Sequence, residues 1–232
     1  MGKDIKNNPS QKFAVVVGAT GNLGRALVKK LRAAGYTIDP IWLEDHHPDA
    51  TKEESYQKLP PLIHLAVYLA GITHSDNTET MALADWQKVI NVNLTGAFLL
   101  AKHAFSGLKR GRGVFVTISS INATHPYPRR AAYAASKSAL EGLTRELAVE
   151  WGEYAISTHC LRLGHLSKLM KTTEFNPRMF PLIQKRIPSG RLIEPEDVAS
   201  YILWLAEGGA PAMSGAVVDF DPAYVINIKS IN

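Results

Sequence analysis

The sequence predicts an α/β protein of a single domain, built on a doubly wound parallel sheet. Three observations lead there. Short apolar, β-branched runs alternate with longer stretches of helical spacing. The first such run ends in a glycine-rich turn that opens a helix. The length of 232 residues, 46% of them hydrophobic, suits one core. Right-handed crossovers between parallel strands then place ligands beyond the carboxyl ends of the strands.

Taken in order, Phe13-Ala14-Val15-Val16-Val17 reads as a buried strand and leads into Gly18-Ala19-Thr20-Gly21-Asn22-Leu23-Gly24. Leu23, Leu27 and Leu31 recur at helical spacing, so a helix is expected over 22–34. Further strands are expected at 37–43, 65–69, 113–118, 157–162 and 216–220, and helices at 80–107, 131–151, 177–186 and 195–207. Pro195 stands in the first turn of the last helix, where its missing N–H costs no bond. Pro40 inside the second strand marks an edge, because proline cannot donate to a ladder. If that strand runs to Leu43, only 21 residues precede the next strand at Leu65, too few for a regular strand plus helix. The third strand and its helix are therefore expected to be shortened or missing. Residues 1–11 read as a flexible polar end, and 165–188 as a lid over the substrate.

Gly18, Gly71, Ser120 and Gly164 all fall at or just past predicted strand ends, which assembles a site along one edge of the sheet. Strand, glycine turn and helix in that order let the backbone approach a pyrophosphate, with free N–H groups at the helix start. The run Tyr133-Ala134-Ala135-Ser136-Lys137 puts a phenol and an ammonium one helical turn apart, and Ser120 lies thirteen residues upstream. A positive charge beside a phenol favours the ionised form, so Lys137 is expected to lower the pKa of Tyr133 and make it a general acid/base.

Composition excludes several classes. No window approaches 18 consecutive apolar residues, and the polar start has no signal-peptide core. Cys160 is the single cysteine and is expected to be an inert core residue in a reducing compartment, the cytoplasm. The net charge of +5 is scattered, apart from Lys109-Arg110-Gly111-Arg112 in a predicted loop, which argues against a nucleic-acid partner. Adjacent His46 and His47 in a polar loop make no metal site, and no metal is expected.

With these motifs together, the chain resembles the short-chain dehydrogenase/reductase family over nearly its whole length. The resemblance is carried by Gly18, Gly21 and Gly24, by Leu69-Ala70-Gly71, by Asn91-Val92-Asn93-Leu94-Thr95-Gly96, and by Ile118-Ser119-Ser120. It continues through Tyr133 and Lys137 to Gly190-Arg191 and Glu194-Pro195-Glu196-Asp197-Val198-Ala199. It implies a Rossmann-type fold, a catalytic tetrad of Asn93, Ser120, Tyr133 and Lys137, and a homodimer or homotetramer. Ser120 would bond the substrate oxygen, Lys137 would hold the nicotinamide ribose, and Asn93 would support a water-linked path to Lys137. Leu140, Leu143 and Leu147 could feed the subunit contact that the family implies.

Cofactor contacts are implied for Gly18, Thr20, Gly21, Asn22, Leu23, Gly24, Trp42, Glu44, Ala70, Gly71, Tyr133, Lys137, Gly164, Leu166 and Lys168. Three departures mark a divergent member. Asn22 stands for a glycine of the turn, Lys168 for a threonine that contacts the cofactor, and Asp219-Phe220-Asp221-Pro222-Ala223 for Val-Asp-Gly-Gly. Glu44, twenty residues past Gly24, favours NAD by bonding the ribose 2′-hydroxyl, whereas ungapped alignment puts Trp42 at that position. NAD and NADP both remain open.

His125, Tyr127, Arg129, His165 and Lys168 make the expected pocket polar and basic, which points to a small polar ketone or secondary alcohol as substrate. The expected activity is an NAD(P)-dependent oxidoreductase. Two other readings use the same residues: a sugar-nucleotide epimerase or dehydratase, which retains its cofactor without net turnover, and a non-catalytic dinucleotide sensor, which needs no tetrad.

Overall fold

The computed structural model describes residues 11–39, 42, 48–167 and 179–227, and all six predicted strands are present in one parallel sheet. They are β1 (Lys12–Val17), β2 (Tyr36–Ile38), β3 (Leu65–Tyr68), β4 (Val114–Ser120), β5 (Ser157–Leu163) and β6 (Ala216–Phe220). Their order across the sheet is β2-β1-β3-β4-β5-β6. The chain therefore steps outward from β1 to β2 and returns to the other side of β1 for β3. That reversal is the topological switch point, where open α/β sheets bind ligands. Val17 pairs with Tyr68 there, and Leu69 N–H donates to Val17 C=O at 2.9 Å. The two glycine-bearing loops thus leave the sheet side by side.

Helices α1 (Asn22–Ala33), α2 (Leu83–Ile90), α3 (Gly96–Gly111), α4 (Ala131–Trp151), α5 (Met179–Arg186) and α6 (Pro195–Ala206) complete the regular structure. One face of the sheet buries Leu27, Leu31, Val198 and Ile202 of α1 and α6, and the other buries Leu100, Leu108, Leu140 and Leu147 of α3 and α4. β1 reads as a continuous apolar run because both its faces are covered: Ala14, Val15 and Val16 have no exposed surface. The leucines expected to feed a subunit contact are spent on this packing. Leu140 and Leu147 are buried, and Leu143 packs against the same cluster. α6 begins with a capping box, in which Glu194 and Asp197 each accept from the other's backbone N–H, and Pro195 starts its first turn.

The shortened third unit is borne out. Between β2 and β3 the described residues hold no further strand, only the 3₁₀ turn Glu53–Tyr56. Trp42 and Tyr56 are both 1% exposed, their rings lie 5.3 Å apart, and they pack with Ile63 and Leu100. β2 is an edge strand, but it ends at Ile38 rather than at 43. Its last link to β1 is Asp39 N–H to Ala14 C=O at 2.9 Å. Pro40 and Leu43 lie outside the described residues, as do residues 1–10.

The long helix expected over 80–107 is not uniform. α2 and α3 are joined by a π-helical turn, Asn91–Thr95, within one continuous run. π-bulges insert a residue into a helix and often coincide with functional positions. Here the bulge carries Asn93.

Candidate active site

The glycine turn after β1 has the shape a pyrophosphate needs. Gly18 has φ of +85°, and a Cβ there would lie 2.8 Å from Ala70 N. Gly24 packs so closely under the turn that its Cβ would meet Gly18 O at 2.2 Å. The turn closes through Gly21 N–H to Gly18 C=O at 3.2 Å, and Gly21 caps α1 with no side chain bonded to the first N–H groups. Those groups, with Thr20, Asn22 and Leu23 beside them, stay available to an anion. Asn22 sits exposed at the first position of α1, so replacing a glycine there leaves the turn open. On the neighbouring loop, Gly71 leaves a gap that a Cβ would fill, 3.4 Å from Lys137 Nζ and 3.5 Å from Asn93 Oδ1. Ala70 lies half-buried beside it. The residues present therefore fit a dinucleotide that runs from the α1 terminus across Gly71 toward Lys137.

The tetrad converges at the ends of β3 and β4. Ser120 is the last residue of β4, and its Oγ accepts from Asn122 N–H at 3.2 Å and from Asn122 Nδ2 at 3.3 Å. With both lone pairs engaged, the hydroxyl is left to act as a donor. It stands near enough to the phenol of Tyr133, in the first turn of α4, to draw that group's pKa down. Lys137, one turn further along, is 5% exposed; its Nζ donates to Ile118 C=O at 2.7 Å and lies 5.6 Å from the Tyr133 ring centre. Asn93 is fully buried. It accepts from Ile72 N–H at 2.8 Å, and its Nδ2 donates to Ile72 C=O at 3.0 Å and to Ser136 Oγ at 2.9 Å. Ser136 Oγ in turn donates to Tyr133 C=O at 2.8 Å. Asn93 thereby ties the loop after β3 to the helix that carries Tyr133 and Lys137.

The electrostatics differ from the sequence expectation. The pKa of Tyr133 is raised rather than lowered: burial pushes it up, and the Ser120 hydroxyl and the charge of Arg130 only partly offset that. Lys137 bears the larger visible consequence, because burial holds its pKa down at about 8. The ammonium is turned to the Ile118 carbonyl rather than placed against the phenolic oxygen. Desolvation therefore outweighs the charge pair.

Behind the tetrad runs an ionic network that the motifs do not announce. Ser119 Oγ lies 3.0 Å from Lys137 C=O and 2.9 Å from Glu141 Oε1. Arg162 of β5 grips Glu141 with two bonds of 2.8 Å and reaches Asp219 of β6 at 2.6 Å. Burial acts to raise the Glu141 pKa, but the Arg162 and Ser119 bonds prevail and the net shift is down. Asn122, Ser136 and Glu141 are the supporting residues that motif reading missed. For Ser136 and Glu141 the signal lay in plain view, as polar residues on the buried face of α4.

Other predicted residues fall elsewhere. The Trp42 indole is buried against Tyr56 and is not presented to a ligand. Leu166 belongs to the core and pairs with Ile193 in a short parallel bridge. Gly164 lies at the end of β5 against the Asp221 carboxylate. Glu44, His46, His47 and Lys168 lie outside the described residues. On the substrate side, Tyr127 OH donates to Tyr224 OH at 2.9 Å and stands 3.2 Å from His165 Nε2, whereas His125 and Arg129 are exposed. Burial, with Arg186 nearby, holds the His165 pKa down at about 4, so its ring is neutral at pH 7. This group is polar, and the Arg186 guanidinium lies 4.6 Å from the Tyr224 ring.

Known proteins resemble this chain in sequence and fold. A family model described as enoyl-(acyl carrier protein) reductase matches residues 44–222. An uncharacterized oxidoreductase of Thermotoga maritima is 36% identical over 68% of this chain and 66% of its own length. The acetoacetyl-CoA reductase of Rhizobium meliloti is 30% identical over 89% of this chain and 95% of its own. A solved structure of a candidate NAD(P) dependent gluconate 5-dehydrogenase from Beutenbergia cavernae, with NADP bound at low occupancy, is 26% identical. It covers 93% of this chain and 97% of that one with a TM-score of 0.83. A glycine turn at the switch point, a serine–tyrosine–lysine cluster on β4 and α4, and these likenesses agree: the chain belongs to the short-chain dehydrogenase/reductase family, whose members are NAD(P)-dependent oxidoreductases.

Proposed function

We propose that this protein reduces a small polar ketone, or oxidises the corresponding secondary alcohol, with Tyr133 as general acid/base. The observation that carries the reading is that Ser120, Tyr133 and a buried Lys137 come together at the carboxyl edge of the sheet. Bound NAD or NADP would supply or accept the hydride. The turn from Gly18 to Gly24, Ala70, Gly71 and Lys137 would hold it. Tyr133 keeps its proton at neutral pH because its pKa is raised, so it is ready to protonate a carbonyl oxygen as negative charge develops there. Ser120, fixed by Asn122 as a donor, stabilises the same oxygen. Lys137, whose pKa of about 8 lies near the working pH, is suited to resupplying a proton on the Tyr133 side. The polar rim of Tyr127, His165 and Tyr224 favours a hydroxylated substrate over a long apolar chain. The gluconate dehydrogenase likeness supports that preference.

The test is Tyr133→Phe, assayed with polar ketones and both cofactors. Turnover is expected to fall about 10²–10⁴-fold, the usual worth of a general acid, with NAD(P)H binding unchanged by fluorescence titration. A variant that keeps the parent rate overturns the assignment.

A further inference from the structure

We propose that Arg130 is a specificity-determining residue that pairs with a carboxylate carried by the substrate beside its reacting carbonyl. This rests on the oxidoreductase reading above and narrows its substrates from polar ketones to short oxo acids and their hydroxy-acid products. Arg130 is the N-cap of α4, three residues before Tyr133, and its charge is felt at the Tyr133 phenol. From there its Nη1 donates to Thr73 Oγ1, in the loop that follows Gly71. That loop is pinned by Asn93, which holds both backbone groups of Ile72 and reaches Ser136 on α4. Arg130, Thr73, Ile72, Asn93 and Ser136 thus close a ring of bonds at the Tyr133 side of the cleft.

Arg130 is a partly exposed residue, and among the described residues its guanidinium has no carboxylate within ion-pair distance. Other arginines of the chain do: Arg162 has Glu141 and Asp219, and Arg191 has Asp197. Among the described residues only one of the Arg130 donors is engaged, which leaves the others for a bidentate bond to an incoming carboxylate. Its field reaches the reacting group, since its charge draws on the Tyr133 phenol. Neighbouring Arg129 does not qualify, being exposed and reaching only the Ser75 carbonyl at 3.4 Å. Because Arg130 caps the helix that carries Tyr133, a carboxylate it pairs with would lie close to the reacting carbonyl, hence a 2- or 3-oxo acid.

The experiment compares a 3-oxo acid with a neutral methyl ketone of equal length, in the parent enzyme, Arg130→Gln and Arg130→Lys. The parent should prefer the acid in kcat/KM by about 30-fold, the range of a charge-assisted bond. That ratio should collapse toward one in Arg130→Gln, chiefly through KM, and recover in part in Arg130→Lys. An unchanged ratio in Arg130→Gln, or a parent enzyme that prefers the neutral ketone, overturns the proposal while leaving the oxidoreductase reading intact. Calorimetric titration with malonate in the presence of NADP decides the matter independently of turnover. Binding to the parent and not to Arg130→Gln supports the proposal, and absence of binding to the parent defeats it, even if no ketone is reduced.

Discussion

At the scale of single residues, the chemistry turns on which protons are held, and at what pH. The Lys137 ammonium is stripped of water, and burial brings its pKa to about 8. Below that value the residue is charged and can meet an anionic nucleotide, and above it the charge is lost. NAD(P)H affinity is therefore expected to weaken as pH rises through 8, and the slope should vanish in Lys137→Met. A flat dissociation constant from pH 6.5 to 9.5 in the parent would remove this lysine charge from cofactor binding. Asn122 supports a second expectation. Asn122→Ala removes the side-chain donor to Ser120 and keeps the backbone N–H, so the hydroxyl should be held less firmly and kcat should fall about 10-fold, the worth of one aligned hydrogen bond, with cofactor binding preserved. No change in kcat would show that Ser120 is oriented by other means. The motif made Ser120 and Tyr133 legible in the sequence. The direction of the Tyr133 shift was not legible, because it depends on burial and on where the Lys137 nitrogen points, and neither follows from a spacing of four.

At the scale of elements, the feature that positions the tetrad is the π-helical turn between α2 and α3. The expected helix over 80–107 reads as one amphipathic run, since the sequence pattern of a one-residue bulge differs little from that of a regular helix. Its cause lies in residues far away. Tyr68 of β3 donates from its phenol to Val92 C=O at 2.5 Å, and Tyr56 to Gly96 C=O at 3.2 Å and Ala50 C=O at 2.8 Å. These bonds satisfy carbonyls at both ends of the bulge, and they come from β3 and from the short segment that stands in place of a third strand and helix. Burial pushes the pKa of both phenols well above the usual range, so they remain donors at any working pH. Tyr68→Phe removes one such donor and leaves a buried carbonyl without it. A loss of about 1–3 kcal/mol in stability is expected, together with a fall in kcat that exceeds any change in KM, because Asn93 is carried on the bulge. Denaturant unfolding and steady-state kinetics on the same preparation check both, and an unaltered kcat would make the brace purely structural.

At the scale of the whole molecule, the doubly wound parallel sheet and the edge where the cleft lies were legible, because they follow from alternation and from the residues at strand ends. The end of β2 was not: β-branched and aromatic residues continue past Ile38, but the chain leaves the ladder after Asp39 and sends Trp42 into the core. Equally invisible was what the buried polar groups of the sheet do to stability. His159 of β5 is 1% exposed, its Nδ1 has no hydrogen-bond partner, and Nε2 lies 3.3 Å from Ser157 Oγ. Desolvation holds its pKa at about 4, against 6.5 in the unfolded chain. Between those values the unfolded state binds the proton and the folded state does not, so stability rises with pH and falls on acidification. The Glu141 carboxyl, with its lowered pKa, acts in the same sense but only at lower pH, where its bonds to Arg162 begin to be lost. Acidification from pH 7 to 5 should therefore be felt at His159, at about 2 kcal/mol, alongside His165, whose pKa burial also holds at about 4. For a chain of this length that corresponds to a drop of about 4–8 °C in Tm. His159→Leu removes the titrating ring from the same buried position, and its Tm should fall markedly less over that interval, whatever its value at pH 7. Parallel melts at pH 7 and 5 make the comparison, and equal drops in the two proteins would place the acid sensitivity elsewhere in the fold.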